Sequence, residues 1–167
     1  MRKQLFLIRH AEAANKSAYQ SDKERELTAK GVQQSFQVGA YLVRENFNID
    51  VIYSSNAERA MQTASMVGEV MKIDLQKVFF DEGLYDASAR TFLDFITKLD
   101  NTFNQVICVG HNPALSYVAE YLTRAEIGDM VPGGVAVIRF ELSTWSEVSQ
   151  GNGELLHYFH PDMLTPN

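Results

Sequence analysis

Arg9 and His10 stand together at the end of an apolar run, residues 5–8, and His111 follows a second apolar run, residues 105–109, with Gly110 between. Between them in sequence, Ser54 and Ser55 close a third short run, and Arg59 comes four residues later at the start of a helical pattern. Asp81 and Glu82 end a fourth. Two guanidiniums, an imidazole and backbone N–H groups at a helix start suit one ligand above others, a tetrahedral dianion. Arginine fits a phosphoryl group because its fork is planar and permanently charged. A second imidazole aimed at the phosphorus could attack it and carry it covalently. Glu82 could protonate the leaving group.

For that chemistry the four runs must be strands that end on one rim. Residues 3–9 read as a buried strand, since Leu5, Phe6, Leu7 and Ile8 run without a polar break. Residues 11–26 have no apolar period and read as a loop of the length that is often functional. Thr28 is the expected N-cap of a helix whose buried face would be Val32, Phe36, Ala40 and Val43, with Gly31 and Gly39 weakening it modestly. Residues 50–53 follow as a strand, then a helix over 56–71 with Ala57, Ala60, Met61, Ala64, Val67 and Met71 inward. Residues 77–80 read as a strand and 91–100 as a helix with Phe92, Phe95, Ile96 and Leu99 on one side. After the strand at 105–109, Pro113 sits at a first helical position, and Leu115, Val118, Ala119 and Leu122 give the next apolar face. Residues 134–142 and 154–159 alternate as strands and are expected to pair antiparallel at an edge.

The order β-α-β-α-β-α-β-α-β-β predicts an α/β fold, a three-layer α/β/α sandwich with a mostly parallel sheet and an antiparallel edge. In such sheets ligands bind beyond the carboxyl ends of the strands, which is where Arg9, His10, Arg59, Glu82 and His111 fall. One domain over residues 1–160 is expected, with a loose tail over 161–167.

Composition narrows the partners. Fifteen Lys and Arg against 21 Asp and Glu give a net charge of −6, and no basic run exists to follow a phosphate backbone, so nucleic acid is not expected. The apolar run at 5–8 is too short for a signal-peptide core or a membrane span, so no membrane partner and a cytoplasmic location are expected. A single cysteine, Cys108, inside an apolar strand, excludes an intramolecular disulfide and reads as buried and inert. His157 and His160 lack a nearby carboxylate or cysteine cluster, so they read as strand-end residues rather than metal ligands. Asp22 and Arg25 read as residues that order the long loop.

These segments carry a resemblance. Leu7-Ile8-Arg9-His10-Ala11-Glu12 resembles the first signature of the histidine phosphatase superfamily, and Ser54–Ala64, SSNAERAMQTA, resembles its second arginine segment. Val109-Gly110-His111-Asn112-Pro113 resembles its second histidine segment. The stretch DKERELTAKG at 22–31 and the PGGVAVIRFE run at 132–141 are similar to the small SixA-type phosphohistidine phosphatase branch, with Ala11 and Glu26 departing from the usual Gly and Pro. Each piece alone is weak; together, in order and at strand ends, they are specific.

The resemblance implies a phosphoglycerate mutase-like fold and a phosphatase in which His10 is the nucleophile. Arg9, Arg59 and His111 would hold the phosphoryl oxygens, the Asn112 backbone N–H would add to that cradle, and Glu82 would match the mutase-type proton donor. It implies no metal and no other cofactor, because the positive side chains neutralise the phosphoryl charge. The expected substrate is a phosphohistidine on a protein, with a small phosphoester as the rival and a non-catalytic phosphate-binding module as the rival from another class. Lys16 replaces the mutase asparagine, which argues against mutase activity.

Overall fold

The computed structural model describes residues 2–164. Six strands are ordered β3-β2-β4-β1-β5-β6 across one sheet: β1 (Lys3–Arg9), β2 (Val51–Ser55), β3 (Val78–Asp81), β4 (Gln105–Gly110), β5 (Val135–Phe140) and β6 (Glu154–Phe159). The first four are parallel. β5 runs antiparallel to β1, and β6 to β5, so the last two strands form the antiparallel edge. The helices are α1 (Ala29–Arg44), α2 (Glu58–Val70), α3 (Ala89–Thr97), α4 (Ala114–Thr123) and the single turn α5 (Pro161–Leu164).

Alternation along the strands builds two cores. Leu5 and Leu7 of β1 face Phe92 and Ile96 of α3 and Leu115, Val118 and Leu122 of α4. Phe6 and Ile8 face Val38 and Leu42 of α1 and Ala60, Ala64 and Val67 of α2. The central strands β1 and β4 are thus buried on both sides, which is why their sequences are unbroken apolar runs. This is the expected three-layer sandwich.

The inward face of α1 differs from the expected one. Gly31, Gln34, Ser35, Val38, Gly39 and Leu42 are buried, whereas Phe36 and Val43 are 42% and 48% exposed. Close approach to α2 decides this. A Cβ on Gly39 would meet the Val70 Cβ at 2.8 Å, so a stripe of small residues, not of large ones, faces the neighbouring helix. Apolar periodicity alone does not reveal a contact built on glycine and serine.

The start of α1 also fastens the long loop. Thr28 is the N-cap, accepting from the Gly31 N–H, and the Thr28 N–H donates to the Glu12 carbonyl at 3.0 Å. Within the loop, Asp22–Glu24 forms a 3₁₀ turn, and Ala13 bridges Leu27 antiparallel. At the far end, Pro161 is buried against Gly133, where an added Cβ would lie 3.1 Å from its ring. Of the expected loose tail, residues 165–167 lie outside the described residues.

A Cβ on Gly31 would collide with the Glu12 carbonyl oxygen, and backbone cannot swing aside as a side-chain tip can. Gly31→Ala should therefore destabilise the protein by ~1–3 kcal/mol, read as a lower urea midpoint. It should also displace the Ala11–Glu12 backbone beside His10 and lower turnover in the fraction that remains folded.

Candidate active site

The β1–β4 register pairs Ile8 with Val109 and Arg9 with Gly110. The next residues, His10 and His111, therefore leave the sheet side by side, with the His10 N–H donating to the Gly110 carbonyl at 3.2 Å. Their ring centroids are 5.2 Å apart. β2 lies on the other side of β4 and ends at Ser55, which leads into α2 and puts Arg59 in its first turn. The three segments converge on a cleft of about 300 Å³ lined by Arg9, His10, Arg59, His111 and Asn112 together with Asp22, Arg25, Tyr85 and Asp86.

His10 is 9% exposed. Its Nδ1 lies 2.8 Å from the Ala11 carbonyl. A carbonyl only accepts, so Nδ1 carries the proton and Nε2 keeps its lone pair. Burial holds its pKa down to about 3, reinforced by His111, Arg59 and Arg9 and opposed by the Ala11 carbonyl. His111 is held down to about 4, by burial first and then by Arg59. Its Nε2 shares a 2.8 Å hydrogen bond with Ser55 Oγ. A neutral imidazole with a fixed tautomer beside guanidiniums can act as a nucleophile toward an anion that those guanidiniums hold.

Arg9 is anchored by the carbonyl of Met130, which accepts from its Nη1 at 2.7 Å and from Asn112 Nδ2 at 2.9 Å. The turn behind it is stitched to β1: Gly133 N–H donates to the Arg9 and His10 carbonyls, both at 3.1 Å, and Arg9 N–H to the Gly134 carbonyl at 3.0 Å. That stitching is the structural use of the Pro132-Gly133-Gly134 run. The Asn112 side chain is committed to the fold at both ends, since its Oδ1 accepts from Ser116 Oγ at 2.9 Å.

Arg59 is 6% exposed. A cation in the first turn of a helix opposes the helix dipole and needs an anion. The anion is Asp22, whose backbone carbonyl accepts from Arg59 Nη1 at 2.7 Å and whose carboxylate accepts from Nη2 at 3.0 Å. The same carboxylate accepts from Arg25 Nη1 at 3.0 Å and from the Tyr85 hydroxyl at 2.6 Å. These donors, Tyr85 foremost, hold its pKa well below the usual carboxylate range. Arg9 and Arg59 each keep an Nε–H buried without an acceptor among the described residues, so the protein does not itself fully match either guanidinium.

The second arginine segment does more than supply Arg59. Thr63 Oγ1 accepts from the Ala11 N–H at 3.0 Å, Gln62 Oε1 from the Leu27 N–H at 2.8 Å, and Gln34 of α1 from the Glu12 N–H at 2.9 Å. Both ends of the loop are thereby tied to α1 and α2.

Arg9, His10, Arg59, His111 and Asn112 come together as the sequence suggested. Glu82 does not join them: it is exposed, in the 3₁₀ turn Glu82–Leu84, and is not among the residues that line the cleft. Tyr85 and Asp86, three and four residues on, take that side of the cleft. Sequence reasoning passed over them, and it gave Asp22 and Arg25 only a loop-ordering role, although they also line the cleft. The signal available was the i,i+3 spacing of Asp22 and Arg25 within an otherwise patternless loop. Cys108 is fully buried, and burial pushes its thiol pKa up.

Fold and cleft together set two imidazoles and paired guanidiniums at the carboxyl ends of a parallel sheet, an arrangement that suits a tetrahedral oxyanion. The chain belongs to the histidine phosphatase superfamily (branch 1), whose model matches residues 5–90, and it is a phosphatase. It is 27% identical over 164 residues to an uncharacterised protein of Mycobacterium tuberculosis, covering 92% of this chain and 99% of that one. Among solved structures it resembles a candidate phosphohistidine phosphatase SixA from Nakamurella multipartitia, with TM-score 0.83 and 26% identity over 96% of this chain and 97% of that one. The protein histidine phosphatase SixA complexed with tungstate shares the fold, with TM-score 0.82 and 24% identity over 97% and 99% of the two chains. No helix among the described residues is long and apolar enough to cross a membrane.

The low pKa values have a measurable consequence. In the folded protein His10 and His111 should stay neutral from pH 8 down to about pH 5, whereas in the unfolded chain they take up protons near the ordinary 6.5. Stability should therefore fall as pH drops from 6.5 toward 4, because the unfolded state binds protons that the folded state refuses. Two-dimensional NMR of the imidazole resonances should show both rings flat across pH 5–8, and saturating tungstate should raise both titration midpoints.

Proposed function

We propose that the protein is a phosphohistidine phosphatase that works through a covalent intermediate on His10. The observation that carries this reading is the buried neutral imidazole of His10, with Nδ1–H bound to Ala11 and Nε2 free, in a cleft shared with Arg9, Arg59 and His111. Nε2 forms a bond to phosphorus as the bond to the leaving group breaks. The charge on the equatorial oxygens spreads over Arg9, Arg59 and His111. Water then adds its oxygen to phosphorus, Nε2 recovers its electron pair, and phosphate leaves with the water's protons.

Two features favour a phosphohistidine over a phosphomonoester. Glu82 lies off the cleft, and a P–N bond to an imidazole breaks with less help from a general acid than an alkyl ester bond does. Asp22 and Asp86, which line the cleft, are exposed, and a cleft whose lining reaches the surface suits a phosphoryl group presented on a protein. The two SixA structures that share the fold lend the reading further support.

The test is a substrate panel with trapping of the intermediate. A phosphohistidine-bearing protein should be turned over with a kcat/KM well above that for sugar phosphates, and acid quench should recover acid-labile label on the wild-type chain and none on His10→Ala. Arg59→Ala should lower kcat about 100- to 1,000-fold, and Arg59→Lys should recover little, because lysine lacks the fork. Absence of label in single-turnover mixtures would end the covalent mechanism, and a preference for sugar phosphates would leave a small-molecule phosphomonoesterase.

A further inference from the structure

Beside the phosphoryl cleft lies a second depression of about 390 Å³, bounded by Asp86, Ala87 and Ala89 on the approach to α3 and by Pro113, Ala114 and Tyr117 at the start of α4. The two share Asp86 as a common wall, and Pro113 directly follows Asn112 of the cleft. Their characters are opposite. The cleft gathers Arg9, Arg25 and Arg59. The groove has a floor of small side chains, apolar except for Ser88, whose hydroxyl is engaged with Thr91 in capping α3, an aromatic wall in Tyr117, which is 62% exposed, and one charged residue, Asp86. The Asp86 carboxylate makes no hydrogen bond or ion pair among the described residues. It stands in contrast to the Asp22 carboxylate, which is held by three donors. An unengaged carboxylate beside a dianion site weakens binding of the phosphoryl half of a substrate, so whatever favourable contact it makes must be with the other half.

We infer that this groove receives the leaving group, and that Asp86 selects leaving groups with an N–H to donate, above all a protonated imidazole, against anionic ones. The inference rests on the phosphatase reading and adds the residue that sets its specificity. An imidazole phosphorylated on one nitrogen and protonated on the other can lie against Tyr117 with that N–H donated to Asp86, a charge-assisted bond. His10 Nε2 then bonds to phosphorus, the P–N bond breaks, and its electron pair stays on the ring nitrogen. The ring departs as neutral imidazole still carrying its distal N–H. No separate proton donor is needed, because the substrate brings the proton and Asp86 favours the form that has it. A phenolate or carboxylate-bearing leaving group meets only repulsion there.

The experiment compares phosphoimidazole with p-nitrophenyl phosphate on the full chain. Asp86→Asn should lower kcat/KM for phosphoimidazole about tenfold and raise it a few-fold for p-nitrophenyl phosphate, whose anionic leaving group no longer faces a carboxylate. Asp86→Glu should restore much of the preference, and Tyr117→Ala should weaken phosphoimidazole mainly through KM. Asp86 is exposed, so these variants should keep wild-type melting curves. Equal changes on both substrates, or none, would overturn the inference while leaving the phosphatase standing. A wild-type protein that turns over a phosphohistidine-bearing protein but neither probe would overturn the inference alone, and one inactive on all three would overturn the phosphohistidine reading as well.

Discussion

The parallel pairing of β1 with β4 is the constraint on which the site depends. These two strands lie at the centre of the sheet, buried on both faces, and their register is held by apolar side chains that alternate between two cores. A slip of one residue would turn Leu5 and Leu7 into the core that holds Phe6 and Ile8, so the register is strongly specified. That register sets His10 beside His111. Everything chemical follows from how far each strand extends before its backbone leaves the sheet.

Burial then does the electrostatic work. At the ends of these strands the imidazoles are out of water yet next to guanidiniums, and both influences disfavour a charged ring. The arginines remain cationic in the same surroundings because their intrinsic basicity is so much higher. The cleft thus sets neutral imidazoles beside positive guanidiniums, and the Ala11 carbonyl settles which nitrogen of His10 is free.

Asp22 links this arrangement to the long loop. Its carboxylate gathers Arg25, Arg59 and Tyr85 from three separate parts of the chain, so the loop is ordered and Arg59 oriented by one group. Gln34, Gln62 and Thr63 secure the loop backbone at both ends. The second arginine segment therefore fastens the loop through Gln62 and Thr63 as well as bringing Arg59 to the cleft.

The order of elements, the strand ends and the placing of Arg9, His10, Arg59 and His111 could be read from the sequence, because strand burial writes itself as unbroken apolar runs and strand ends as the polar residues that stop them. The inward face of α1 could not be read that way: Gly31, Ser35 and Gly39 pack by being small, and smallness leaves no hydrophobic period. Nor could the sequence say which carboxylate stands where. Glu82 and Asp86 are four residues apart on one irregular connection, and the 3₁₀ turn that begins at Glu82 decides that Asp86 meets the cleft and Glu82 does not. The chemistry available was determined by residue type along the chain; which of those groups act together was decided by backbone geometry in turns and by close helix contacts, where no periodic pattern records the outcome.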